Sequence, residues 1–442
     1  MHGRPPPPPE APGPPEPGDP PERLAAIRII GDLREAGHEA YLAGGCVRDE
    51  LLGVAPGDYD VATNATPERI GRLFPATRHV GAKFGVMQVR RDRAWIEVAT
   101  FRTDGSYADR RRPDEVWFSD PEADAERRDF TINALFLDPL APESEWTPRD
   151  GAPAVLGRVI DFVGGLGDLA AGVVRAVGDP ERRLAEDQLR ALRAVRFAAR
   201  LGFEIEPATA HAIARHAAEL EGISPERIGG ELRRMLGVPS RARAAALIES
   251  LGLDAAALGE PSRGPGASIP RLAGLPTDAG VPVALAAWAL DRGHDGDPNS
   301  SRWLHRWRAA LCLSNAESDA VAAVLRCRRG LAGFGSLPRA ARKRLAAAPG
   351  FSDALRVARG EDPELAGAVR EAVEVLAGEP GGLAPPPWVT GRDLIERGMT
   401  PGPRFAEILD ELYDAQLEGT AGDRDALLEL LARRRVQLDA EP

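Results

Sequence analysis

Residues Ala43–Thr63 read AGGCVRDELLGVAPGDYDVAT. A glycine pair, Gly44-Gly45, precedes Arg48, and two aspartates, Asp58 and Asp60, follow in a segment of strand character. Side chains two apart on a strand leave from the same face, so this spacing sets two carboxylates side by side. Like charges that close cost stability unless something positive sits between them. Two surface acids beside a turn are the plain alternative to a bound cation. Hard carboxylate oxygens suit Mg²⁺, which keeps waters and completes its shell with substrate phosphates. The glycines let backbone amides approach a phosphate, and Arg48 adds a planar positive fork nearby.

Working outward, PERLAAIRIIGDLREAG has helical spacing and stops at Gly37, HEAYLAGG reads as a short strand, and CVRDELLG as a helical turn or two. DYDVAT is a second strand, and TPERIGRLFP a helix with Thr66 at the cap and Pro67 at its first position. GVMQVRRDRAWIEVATFR predicts a hairpin turning near Arg91-Asp92. Glu97 lies in that hairpin on the face of Trp95 and Ala99, opposite Ile96 and Val98. It is either an inward glutamate that needs a partner or an exposed acid on an edge strand.

Beyond about residue 166 strand signals vanish and amphipathic helical patterns continue, with a Gly/Pro-rich break at GEPGGLAPPPW, residues 378–388. The fold class is α+β, with five expected segments. These are a disordered proline-rich tail over 1–20, a mixed head over 21–165, and a helical neck over 166–240. A helical body over 241–380 and a helical tail over 381–442 complete the chain.

The chain has 442 residues, 43% hydrophobic and 28% charged, as in ordinary globular proteins. No apolar run approaches the roughly 18 residues that span a bilayer. The N-terminus lacks a signal-peptide core, so no membrane association and a cytoplasmic location are expected. Cys46, Cys312 and Cys327 are odd in number and widely spaced, arguing against a disulfide-linked partner and a cysteine zinc site. A single His294-Asp295 pair without upstream histidines makes no metal site. A net charge of −11 weighs against a polyanionic partner, but a local strip can still track phosphates. Residues 182–200 hold six arginines against Glu186 and Asp187. Asp187, Arg190, Arg193, Arg196 and Arg200 recur at helical steps beside Leu189, Leu192, Val195 and Ala199. On spacing alone this face is a solvated charged surface or a ligand surface.

The carboxylates beside a glycine pair resemble the active site of polymerase-like nucleotidyltransferases. GGCVRDELLG followed by GDYDVAT resembles the metal-binding signature of the bacterial tRNA nucleotidyltransferase and poly(A) polymerase family, class II. ATFRTDGSYADRRRPDEVWF is similar to its flexible-loop motif, RRDFTINAL to the motif closing the head, and AEDQLRALRAVRFAARLGF to the nucleotide-selecting helix. ISPERIGGELRRML and VTGRDLIERGMTPGPRFAEILDEL resemble the following motifs, in the family's order.

The resemblance implies a polymerase-beta-like nucleotidyltransferase head on an elongated helical neck, body and tail. It implies Asp58, Asp60 and Glu97 as catalytic carboxylates, with Asp58 and Asp60 holding a two-ion Mg²⁺ site. Gly44, Gly45 and Arg48 would hold the triphosphate and Arg128 would lie by the ribose. Asp187 and Arg190 would imitate a pairing base, accepting from the exocyclic amine and donating to the ring acceptor of cytosine or adenine. Arg193 and Arg196 would lie near the nucleotide, and Asp104, Arg111 and Arg112 would belong to the flexible loop.

The implied activity is template-independent addition of CCA to the tRNA 3′ end from CTP and ATP, with the acceptor arm and elbow gripped by the helical body. Alternatives are addition of the terminal A alone, poly(A) polymerase, and a non-catalytic RNA-binding module. Family polymerases commonly carry an arginine-rich run where this chain has HVGAKFGVMQV, and the intact carboxylates disfavour a binding-only role.

Overall fold

The stretch Ala43–Thr63 folds as strand, helix, turn and strand. In the computed structural model, α1 (Pro21–Glu35) is followed by β1 (Ala40–Ala43), α2 (Gly45–Leu51), β2 (Asp60–Thr63) and α3 (Pro67–Leu73). β3 (Thr77–Gly81), β4 (Val86–Arg91), β5 (Ala94–Thr100), β6 (Arg102–Asp104) and β7 (Val116–Phe118) lead to α4 (Pro121–Glu126), β8 (Phe136–Asp138) and β9 (Arg158–Ile160). Seven of these strands form one mixed sheet in the order β3-β4-β5-β2-β1-β8-β9, while β6 and β7 pair separately. The described residues are 19–81, 85–104, 116–141, 157–294 and 302–439.

Helix α1 buries Ala25, Ala26, Ile29, Ile30 and Leu33, a stripe at steps of three and four, against β1, β2, β4 and β5. Across the sheet, Ala43, Ala62, Phe101, Ala134 and Phe136 form a core in which the Phe101 and Phe136 rings meet edge to face at 5.9 Å. The hairpin turns at Asp92 and Arg93, one residue beyond the expected position, with φ of 47° and 73°. Paired left-handed residues match the right-handed twist of the flanking strands, which fixes the register of β4 on β5. Two short strands, β10 (Val173–Val174) and β11 (Glu204–Ile205), pair in parallel where only helix was expected. Two residues are too short to show an alternating pattern.

The chain divides into two compact units, Met1–Ile223 and Ser224–Pro442, so the boundary falls inside the 166–240 segment expected to form a neck. The first unit continues with α5 (Gly165–Ala171), α6 (Pro180–Glu186), α7 (Leu189–Leu201), α8 (Pro207–Arg215) and the 3₁₀ turn Ala217–Gly222. The second is helical among its described residues. Trp303 and Trp307 are buried there, edge to face at 5.2 Å, as packing residues. Val389, Leu394, Ile408, Leu412, Leu427 and Leu431 form a separate small core near its end.

Arg241 is 2% exposed and has no carboxylate partner among its hydrogen bonds. Its Nε donates to the Leu236 carbonyl at 3.0 Å, Nη1 to Pro276 at 2.8 Å, and Nη2 to Thr277 and Ala279 at 3.0 Å each. One guanidinium thus closes the end of the helix Pro225–Leu236 onto the segment leading to the helix Val281–Asp291. A lysine carries three donors on a single nitrogen and cannot match that fork. Arg241→Lys should therefore destabilise the second unit by about 3 kcal/mol, measured by chemical denaturation.

Candidate active site

Parallel pairing of β2 with β5 sets Asp60 directly beside Glu97, followed by Val61 beside Val98. β2 begins only at Asp60, so Asp58 lies in the preceding turn rather than in the strand. Tyr59, 5% exposed, turns into the core between them, and both aspartates face one cavity of about 800 Å³ that Glu97 also lines. β5 is an interior strand between β4 and β2, so Glu97 is neither an edge acid nor a core acid: it opens onto the cavity. Burial, then the charges of Asp58 and Glu97, push Asp60 up to about 7, with Arg128 pulling the other way. Burial and Asp58 likewise raise Glu97.

Among the described residues no ion pair reaches these three carboxylates, and no three His, Cys, Asp or Glu side chains converge as a ligand set. The chain therefore offers a partial shell: Asp58 and Asp60 can contribute oxygens to a hard cation, leaving most positions to other ligands. The raised Asp60 fits that role, because a cation relieves the crowding that burial and its neighbours impose.

The facing wall is guanidinium, and its members are held by acids of their own. Arg48 is 3% exposed; its Nε and Nη2 donate to Asp49 Oδ1 at 2.8 and 2.6 Å, and its Nη1 to Asn133 Oδ1. The other Asp49 oxygen accepts from Arg200 Nη2 at 3.1 Å. Arg128 donates through Nε and Nη2 to Asp124 Oδ2 at 3.2 and 3.0 Å, and through Nη1 to the Asn133 carbonyl at 2.9 Å. Arg193 reaches Asp129 Oδ2 at 2.8 and 2.7 Å. Burial alone would raise Asp129, but Arg193, Asn133 and Arg190 bring it down to about 2. The Arg48, Arg193 and Arg196 guanidiniums lie 5.0, 5.5 and 4.3 Å from the Phe197 ring centre.

α7 starts at Leu189, so Asp187 is not on the helix with the arginines but in an extended elbow after α6, with φ −154° and ψ 104°. Its carboxylate caps α7 by accepting from the Leu189 amide at 3.0 Å. Arg190, one turn on, is 9% exposed and is held through Nη1 by Glu186 Oε2 and the Arg183 carbonyl, both at 2.6 Å. Leu189, Leu192, Val195 and Ala199 pack inward, and the arginine side of α7 lines the cavity instead of bulk solvent.

Gly44 adopts φ 77°, and its amide donates to the Leu135 carbonyl at 3.0 Å, so that N–H is engaged within the fold. Gly45 opens α2. Asp104 ends β6, whereas Arg111 and Arg112 lie outside the described residues.

Residues 40–175 match the family model described as poly A polymerase head domain, and 202–258 the one described as probable RNA and SrmB-binding site of polymerase A. A CCA-adding enzyme of Limosilactobacillus fermentum is 37% identical over 416 residues, covering 92% of this chain and 96% of that protein. The chain belongs to the CCA-adding enzyme family of tRNA nucleotidyltransferases. A CCA-adding enzyme of Geobacillus stearothermophilus is 34% identical over 425 residues, covering 89% and 92%. The crystal structure of the Bacillus stearothermophilus CCA-adding enzyme in complex with CTP superposes with a TM-score of 0.72 at 30% identity, covering 96% of this chain and all of that one. A Thermotoga maritima CCA-adding enzyme complexed with tRNA, at 20% identity and a TM-score of 0.64, shares the fold.

In this member of the family, sequence reasoning missed Asp49, Asp124, Asp129, Asn133 and Phe197. Asp124 carried a readable signal, four residues before Arg128 at a helix end; Asp49, next to Arg48, did not. A Cβ on Gly44 would lie 2.8 Å from Arg128 Nη1, at a φ of 77° and ψ of −127° that costs an alanine roughly 1–3 kcal/mol. Gly44→Ala should thus leave the fold intact, displace Arg128, and lower kcat/KM for CTP and ATP roughly tenfold to hundredfold in steady-state assays.

Proposed function

We propose that this protein adds CCA to the 3′ end of tRNA from CTP and ATP without a nucleic-acid template. The observation that carries this reading is one cavity with the Asp58, Asp60 and Glu97 carboxylates on its sheet wall and the Asp187–Arg190 elbow among arginines on its helical wall. Relatives that match over most of their length and bear the name CCA-adding enzyme support it.

Asp58 and Asp60 would hold divalent cations, Mg²⁺ by preference, given their hard oxygens and the crowding at Asp60. Such ions, when bound, supply Lewis-acid stabilisation of charge on the attacking and leaving oxygens of nucleotidyl transfer. Glu97, raised by burial and by Asp58, sits beside Asp60 where the attacking 3′ hydroxyl would need a proton acceptor. Arg48 and Arg128, fixed by Asp49 and Asp124, present positive charge to the triphosphate and ribose without having to reorganise.

The Asp187 carboxylate can accept from the exocyclic amine of cytosine or adenine, and Arg190 can donate to the neighbouring ring acceptor. Uracil and guanine present a carbonyl where the amine would be, leaving the carboxylate without a donor. The elbow thus has the chemistry to admit two bases and refuse two. Binding of the tRNA through backbone and shape would make affinity fall steeply with added salt.

The deciding assay supplies Mg²⁺ and three transcripts ending at the discriminator base, at CC, or at CCA, with CTP, ATP or both. Addition of three residues to the first, followed by a stop, is expected. Growth of the CC-ended transcript alone would reassign the protein to terminal A addition, and a ladder of A on any RNA to poly(A) polymerase.

Asp58→Ala should lower transfer about a thousandfold or more while tRNA binding persists in a filter assay. Arg190→Ala should narrow the preference for CTP over UTP by about 1–3 kcal/mol, read as the ratio of kcat/KM values.

A further inference from the structure

Gln188, between the elbow residue Asp187 and the start of α7, is 2% exposed and does not line the cavity. A buried amide needs partners, and this one points away from the site: its Nε2 donates to Glu219 Oε2 at 2.9 Å. The other Glu219 oxygen lies 2.6 Å from His216 Nδ1. The opposite ring nitrogen, Nε2, meets Glu181 Oε2 in the first turn of α6, and Arg215 Nη1 pairs with Glu181 Oε1 at 2.9 Å. Both arms of the elbow are therefore tied to one corner, where α8 gives way to the 3₁₀ turn Ala217–Gly222. Glu181 anchors the start of α6; Gln188 anchors the start of α7.

The chemistry of the corner fixes its protonation. A neutral imidazole has one donor and one acceptor, whereas both His216 nitrogens face carboxylate oxygens that only accept. Two hydrogen bonds form only when the ring is the imidazolium. We propose that His216 is a positioning residue for nucleotide selection, its imidazolium bridging Glu181 and Glu219 so that Asp187 and Arg190 are held at the spacing of a base edge.

The groups facing the ring are Glu181 from α6, Glu219 from the 3₁₀ turn with Gln188 behind it, and Arg215 from its own helix. Hydrogen bonds to Glu219 and Glu181 outweigh burial and raise His216 above its ordinary value. The sign follows: the bridge is complete below the ordinary histidine pKa and is lost as pH rises through the raised one. This inference rests on the base-selecting role proposed for Asp187 and Arg190.

The test is the ratio of kcat/KM for CTP to that for UTP on a transcript ending at the discriminator base, between pH ~6 and ~8.5, where histidine titrates. Both nucleotides use the same carboxylate centre, so titration of Asp60 cancels in the ratio. The wild-type ratio should fall about three- to tenfold as pH rises, the scale of one charge-assisted hydrogen bond between half-exposed groups. His216→Gln should show the low ratio at every pH, in a protein that still melts cooperatively. Gln188→Leu cuts the link without altering the ring and should lower the ratio as well; it decides the matter if His216→Gln does not fold.

A pH-independent wild-type ratio, or a His216→Gln ratio equal to that of wild type at the acid end, overturns the proposal. Arg190→Ala separates the two levels. If it too preserves the ratio, the base-selecting reading fails. If it collapses the ratio while His216→Gln and Gln188→Leu preserve it, only the role of His216 fails.

Discussion

The parallel pairing of β2 with β5 is the constraint on which the site depends. It fixes Asp60 beside Glu97, with Asp58 a turn away, and creates a local excess of negative charge that the sheet itself does not neutralise. Arginines line the cavity opposite, and a simple fold would let them collapse onto the carboxylates. They do not, because Asp49, Asp124, Asp129 and Glu186 hold Arg48, Arg200, Arg128, Arg193 and Arg190. Each anchoring acid spends its charge locally. That geometry would leave the carboxylate wall for a cation and the guanidinium wall for an anion.

This arrangement also explains how an acidic chain of net charge −11 can present a positive wall to a nucleotide. Net charge counts every acid equally, but an acid already committed to a guanidinium orients that group more than it repels a phosphate. Asp129, lowered by Arg193, Asn133 and Arg190, holds Arg193 in place as a carboxylate. The arrangement also trades reach for rigidity. Arg48 is too buried and too fully engaged to swing out to a ligand, so it acts as fixed charge.

Much of this was legible in the sequence because it is local. The glycine pair, the D-x-D spacing, the helix start at Pro67 and the inward stripe of α7 all depend on residues within a turn or two of one another. Three features were not legible. The register of Asp60 on Glu97 joins residues 37 apart on two parallel strands, with no connecting turn between them to fix it. The elbow at Asp187 interrupts a helical pattern that runs through it unbroken, so periodicity extended α7 too far. The amide of Gly44, which the motif offers to a phosphate, is taken by the carbonyl of Leu135, just before β8 and more than ninety residues away. At Gly44 a long-range partner overrode a local preference; at the register and at the elbow no local pattern marks the event.

The elbow shows why such partners accumulate around a selective site. On the proposed reading, a pocket that accepts cytosine and adenine alike would not enclose either by shape, and discrimination would rest on where one carboxylate and one guanidinium point. That geometry has to be held from outside the pocket, since any group placed inside to brace it would compete for the base. Glu186 and the Arg183 carbonyl brace Arg190 from α6. Gln188, buried and outside the cavity lining, is committed to the scaffold behind the elbow. In Asp187-Gln188 two adjacent side chains divide these tasks, the first lining the cavity and the second bonded to the scaffold behind it.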